Sequence, residues 1–275
     1  MKKLIVSFAL MVITLASYAQ VYKMYSTRNY HNQLRLNTMT GEVQQIQDDG
    51  QSWIICSARE ISGDKESRFC LYETQNMWTF IMLDTYTGKN WQVQFSVKGE
   101  DYMFAAPINI FSLAYPEATS NWTNRFQMFA TQNMWTFIML DSFTGKTWQV
   151  QFSTKGTDYM FYTPINRYSL SYPSSRDNWR NRFQLFPTQN MWNFILLDSY
   201  TGRLWQVQFS SQDLDALMCI PINEVELASA SRPIFSISPL TSMYQYYLIN
   251  ESNGNMWKFQ WSTKGDDYRW IEKCQ

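Results

Sequence analysis

Histidine is almost missing from this sequence: His31 is the only one in 275 residues. A His-rich metal site and a Ser-His-Asp triad are therefore excluded, and His31 itself reads as a surface or packing residue, because it aligns with Trp78 and Trp135 of later repeats. Net charge is missing too. The 23 basic residues balance 23 acidic ones with no basic stripe, which excludes nucleic acid as a partner. The four cysteines, Cys56, Cys70, Cys219 and Cys274, form no CxxC pair, so zinc is not expected. Glycine-rich phosphate loops and EF-hand-like Asp runs are absent, and no cofactor is expected. The apolar run over residues 4–15 falls well short of the roughly 20 residues that cross a bilayer.

That short run has another use. Lys2 and Lys3 precede it, and Ser17 and Ala19 close it with the small-residue spacing that a signal peptidase reads. Residues 1–19 are expected to be a signal peptide, with no Cys at the cleavage site to take a lipid. The protein is expected in the periplasm or outside the cell, without membrane insertion after cleavage and as a monomer. Disulfides are permitted in that compartment. The four cysteines allow three pairings, which would be accessories, since the repeats do not share them.

Aromatic residues are plentiful, with 12 Trp, 17 Tyr and 18 Phe, the types that favour pleated, half-buried surface. They recur in order. Residues 74–104 and 131–161 differ at five positions, and residues 188–210 repeat the pattern at the same spacing of 57. Weaker copies flank these three, so the marker glycines are Gly41, Gly88, Gly145, Gly202 and Gly254. Within the third copy, residues 125–131, 135–140, 148–152 and 159–165 read as strands. The second of these is almost wholly apolar, and the third alternates strictly. Between them, Asp141 suits an Asx turn and Gly145 the positive φ of a hairpin loop.

Four short strands per unit and five units predict an all-β, five-bladed β-propeller of four-stranded antiparallel blades, with a β-sandwich or an open β repeat array as alternatives. One domain is expected over residues 20–275, with blades over 21–62, 66–109, 123–166, 180–223 and 230–275. The ring is expected to close through its two weaker end copies. The paired glutamines of the third strand, such as Gln149 and Gln151, read as amides bonding between blades.

The Gly-Lys-Thr-Trp of residues 145–148 resembles the second half of an Asp-box, the turn motif of sialidase-type propellers, but Asp141 stands four residues before the glycine and not two. The five-copy organisation resembles five-bladed lectin propellers such as the tachylectins in architecture. That likeness is one of architecture and not of motif, and it carries no function by itself.

Function is read from two connections that alternating strands place at one end of each blade. The first supplies Gln75, Asn76 and Trp78, then Gln132, Asn133 and Trp135, then Gln189, Asn190 and Trp192. The second adds Asp101 and Asp158. Amides, carboxylates and aromatic rings make a sugar-binding set. The expectation is a secreted, non-catalytic module that binds a glycan or an exported protein multivalently, with a structural or assembly scaffold as the alternative. No enzyme is expected, because the acids recur around the ring whereas a catalytic pair is unique; a glycosidase using two carboxylates is the remaining catalytic option. Asn121-Trp122 and Asn178-Trp179, each followed by Arg125 or Arg182, offer a second aromatic surface at the opposite end.

Overall fold

The computed structural model describes residues 21–61, 63–114, 123–171 and 180–275. The signal-peptide segment and the Asn-Trp pairs at 121–122 and 178–179 lie outside the described residues.

Five four-stranded antiparallel sheets follow one another as the blades of a β-propeller. The first blade holds β1 (Tyr22–Ser26), β2 (Asn32–Asn37), β3 (Val43–Gln47) and β4 (Ser52–Cys56). The second holds β5 (Phe69–Glu73), β6 (Thr79–Asp84), β7 (Asn90–Gln94) and β8 (Phe104–Asn109). The third holds β9 (Phe126–Ala130), β10 (Thr136–Asp141), β11 (Thr147–Gln151) and β12 (Phe161–Pro164). The fourth holds β13 (Phe183–Pro187), β14 (Asn193–Asp198), β15 (Leu204–Gln208) and β16 (Met218–Asn223). The fifth holds β17 (Phe235–Pro239), β18 (Gln245–Asn250), β19 (Met256–Gln260) and β20 (Trp270–Lys273). In the third blade the last strand starts later than its sequence predicts, because Thr157–Tyr159 is taken up in a single 3-10 turn. Fourth strands of neighbouring blades lie close together, β4 by β8, β8 by β12 and β16 by β20, and so sit nearest the axis.

The middle strands explain the composition. Every residue of β6, β10 and β14 is buried, because each of these strands is covered by a blade on either side. In the second blade, Phe80 and Met82 face back onto Leu34 and Leu36 of the first. Ile81 and Leu83, on the opposite pleat, face forward onto Phe126 and Met128 of the third. The third and fourth blades, and the fourth and fifth, share equivalent clusters. Burying a large apolar side chain contributes roughly 1.5–3 kcal/mol, so the four seams carry most of the stability.

The seams are pinned by the glutamines. Gln45 Nε2 donates to Ser96 O at 2.9 Å, and Ser96 N donates back to Gln45 Oε1 at 3.1 Å. Gln92, Gln149 and Gln206 accept in the same way from Ser153, Ser210 and Ser262. The second column stays within its own blade, where Gln94, Gln151, Gln208 and Gln260 donate to the carbonyls of Tyr102, Tyr159, Ala216 and Tyr268.

The hairpin turn follows its expected chemistry: Asp141 Oδ1 accepts from Phe143 N, Gly145 N donates to Asp141 O, and Gly145 has a φ of +72°. A second partner was not read from sequence. Arg125 Nε and Nη2 reach Asp141 at 2.9 and 2.8 Å, with both side chains fully buried, and Arg182 pairs with Asp198 in the same way. Arg125 and Arg182 therefore belong to the blade interior and not to an aromatic surface.

Among the described residues, the expected closure is not packed like the other seams. Tyr22 and Met24 of β1 are 56% and 48% exposed, whereas Phe69 and Leu71 at the same places in β5 are 2% and 6% exposed. β18 alternates between buried and half-buried residues where β6, β10 and β14 are buried throughout. Among the described residues, the first blade's backward face and the last blade's forward face stay partly exposed. Among the described residues, each hydrophobic cluster joins consecutive blades, and none joins the fifth to the first.

All four cysteines are free thiols. Burial pushes the thiols of Cys70 and Cys219 up to about 11 and about 12.

Candidate functional site

The first connection of each strong blade is a rigid turn. Thr74 Oγ1 accepts from Asn76 N, and Asn76 Oδ1 accepts from Trp78 N at 2.9 Å and from Thr79 Oγ1. Trp78 then lies against Phe95 with ring centroids 5.3 Å apart. Asn133, Trp135 and Phe152 repeat this arrangement, as do Asn190, Trp192 and Phe209. The carbonyl of each Asn side chain and one face of each Trp are thus occupied in holding the turn.

The candidate residues divide between clefts. Asn76 and Trp78 line a cleft of about 370 Å³ together with Lys98 and Tyr102 of the third connection and Thr154 of the next blade. Asn190 and Trp192 line an equivalent cleft of about 360 Å³. Gln75 does not join Asn76: its Nε2 turns toward Thr131 O at 3.4 Å, and it shares a pocket of about 210 Å³ with Asn133. Gln189 lines a third kind of pocket beside Tyr246. Gln132 is exposed, and Asp101 and Asp158 are exposed on their 3-10 turns.

The first blade breaks the pattern. His31 stands where the strong blades carry Trp, and the third connection is a four-residue hairpin in place of the 3-10 turn, closed by Gln47 N donating to Gln51 O. The shortening removes the carbonyl that captures the equivalent glutamine elsewhere, and Gln47 has no side-chain hydrogen bond among the described residues. The hairpin also brings Asp48 Oδ2 to 2.9 Å from His31 Nδ1. Asn29 Oδ1 accepts from His31 N and fixes the backbone beneath it. His31, Asp48, Gln47 and Asn29 line a cleft of about 270 Å³ that also touches Val97 of the second blade. Both side chains of this pair are largely exposed, so the imidazole and the carboxylate meet at the open mouth of the cleft. Among the described residues, no three His, Cys, Asp or Glu side chains gather as a metal site.

No protein-family model matches the chain, and no curated protein matches it. Solved structures do. A periplasmic gluconolactonase of Pseudomonas aeruginosa aligns with a TM-score of 0.48 at 8% identity, over 92% of this chain and 68% of its own. A candidate 6-phosphogluconolactonase of Bacteroides uniformis aligns with a TM-score of 0.46 at 7% identity, over 92% and 68%. An auxiliary nutrient-binding protein of Bacteroides thetaiotaomicron aligns with a TM-score of 0.37 at 8% identity, over 93% and 57%. The likeness is one of fold alone. The enzyme names of two of these neighbours stand against the expectation of a non-catalytic glycan- or protein-binding module, and they establish no activity for this chain. Among the described residues, no helix is long and apolar enough to cross a membrane.

His31 was legible as the singular residue of the sequence. Its partner Asp48 was not, because only the shortened hairpin brings the two side chains together.

Proposed function

We propose that the chain hydrolyses a small ester, open or cyclic, in the cleft between its first and second blades. The observation that carries this reading is the 2.9 Å approach of His31 Nδ1 to Asp48 Oδ2, in the cleft that departs from the repeat. A residue that recurs in every blade serves the fold; chemistry needs a place where the repeat is broken.

The groups present define the step. His31 Nε2 takes a proton from a water molecule, and the water oxygen bonds to the ester carbonyl carbon. The amides of Gln47 and Asn29 donate to the carbonyl oxygen as it gains charge. The carbon–oxygen bond to the alkoxide breaks, and the imidazolium returns its proton to that alkoxide. Products are an alcohol and a carboxylic acid, joined in one hydroxy acid when the substrate is a lactone, and the acid ionises by releasing its proton to solvent. A positioned base of this kind accelerates a reaction by about 10²–10⁴-fold. The charged start, apolar middle and small-residue end of residues 1–19 support export, which would place the reaction outside the cytoplasm.

The experiment is titration of acid release from gluconolactone and from a simple aryl ester, over the spontaneous rate. Gluconolactone and an aryl ester are chosen as a small cyclic and a small open ester whose acid release can be titrated. Hydrolysis that falls at least about a hundredfold in H31Q and in D48N supports the reading. Rates in H31Q equal to those of the native protein overturn it.

A further inference from the structure

The two uncovered blade faces carry a second inference, independent of any activity. On the last blade, the forward face presents Tyr247, Ile249 and Met256, all half-buried, around Lys258. On the first blade, the backward face presents Tyr22, Met24 and Ile54, all exposed, around Arg35. We infer that these faces join two copies of this chain head to tail, the last blade of one copy against the first blade of the next.

Continuity with the four internal seams is the first argument. Each internal seam sets the forward pleat of one blade against the backward pleat of the following blade, so the unmatched halves at the two ends are of complementary kinds. Charge is the second. In every internal seam, a glutamine of the third strand accepts a hydrogen bond from the backbone N–H of a serine of the next blade, two residues past that blade's third strand. At the free ends both members are replaced together: Lys258 stands in the glutamine column, and Asp49, which lines the His31 cleft and whose Oδ1 accepts from Gln51 N, stands two residues past β3. An ammonium opposite a carboxylate takes the place of an amide opposite a serine backbone. The seam geometry also sets Arg35, at the place of Met82, against Tyr247 and Ile249, at the places of Leu34 and Leu36. A guanidinium over a tyrosine ring is a favourable contact.

The same face explains why the contact is reversible. Gln33, Arg35 and Gln44 replace Phe80, Met82 and Trp91 of the second blade, so the first blade tolerates water when the copies part. The contact is heterologous: one kind of surface meets another, and each added copy leaves the same two ends free. Such a contact yields a series of sizes unless the rotation closes a ring.

The test is sedimentation velocity of the full chain over a wide concentration range, with K258E, D49K and the exchanged pair K258E/D49K. The expected result is a concentration-dependent series of oligomers that weakens with salt. Each single reversal raises the dissociation constant roughly tenfold or more, and the exchanged pair restores it. A single monomeric species at all concentrations overturns the inference, as does association equally strong in both single variants. Hydrogen exchange gives a second readout. Exchange in β1, the edge strand of the first blade, that does not slow as the concentration rises also overturns it.

Discussion

Arg125 reaches Asp141 through two hydrogen bonds of 2.9 and 2.8 Å, and neither side chain is exposed to water. The repeat shows why the two belong together. Where the turn residue is Asp84, Asp141 or Asp198, the residue before the first strand is Arg68, Arg125 or Arg182. Where the turn residue is Asn37 or Asn250, that place holds Val21 or Ile234. The guanidinium and the carboxylate come and go as a pair.

D141N should therefore destabilise the protein by about 3–5 kcal/mol, because it removes the carboxylate beside a buried guanidinium. The double variant R125I/D141N reproduces the neutral arrangement of the end blades and should recover part of that loss. Urea denaturation of the two singles and the double would give a coupling energy of about 0.5–3 kcal/mol. Additive losses would contradict the pairing.

Two glycines with the same backbone demand should separate on substitution. Gly254 has a φ of +74° with open space around it, so G254A should lose about 1–2 kcal/mol from the backbone alone. Gly145 has a φ of +72°, and a Cβ there would come 2.9 Å from the ring of Phe183 across the seam. G145A should lose a further 1–3 kcal/mol or so through overpacking. Thermal unfolding of the two variants provides the comparison.

Gln149 bridges two blades, with Nε2 donating to Ser210 O at 2.7 Å and Oε1 accepting from Ser210 N at 3.3 Å. Q149L leaves a buried carbonyl and a buried amide without that partner, for a loss of about 1–3 kcal/mol. Q151L changes a bond that stays within its own blade near the surface and should cost less. Denaturation midpoints of the two variants test the order.

The half-buried thiols of Cys70 and Cys219 predict a pH dependence. Cys70 and Cys219 ionise in the unfolded chain near the ordinary value of 9.0, but in the fold only at about 11 and about 12. The unfolded state therefore gains thiolate first. Their contribution to stability is complete below pH 9.0 and is lost as the pH rises toward those folded values. Alkylation with iodoacetamide at pH 8 should be slow at both residues in the native protein and fast after denaturation. Fast native labelling would contradict their burial.

The repeat made the fold legible in the sequence. Alternation in Gln-Val-Gln and the Asp-to-Gly turn place the strands to within a residue or two, and the fully apolar middle strand announces blades on both sides. The open seam was also written there, in Gln33, Arg35 and Lys258, but a repeat found by its similarities draws the eye from its departures. Asp48 was harder to find. Its meeting with His31 depends on a connection shortened to four residues, and loop length changes which side chains meet in ways that no motif encodes. The division of Gln75 from Asn76 has the same origin, since adjacent turn residues face different clefts.

The central claim is that chemistry sits where the repeat is broken, and restoring the repeat tests it most directly. H31W gives the first blade the aromatic residue of the strong blades. Lactone and ester hydrolysis measured beside a thermal melt should show a variant at least as stable as the native protein and without activity above the spontaneous rate. Native-level hydrolysis in H31W, or a native protein with no hydrolysis to lose, would contradict the account.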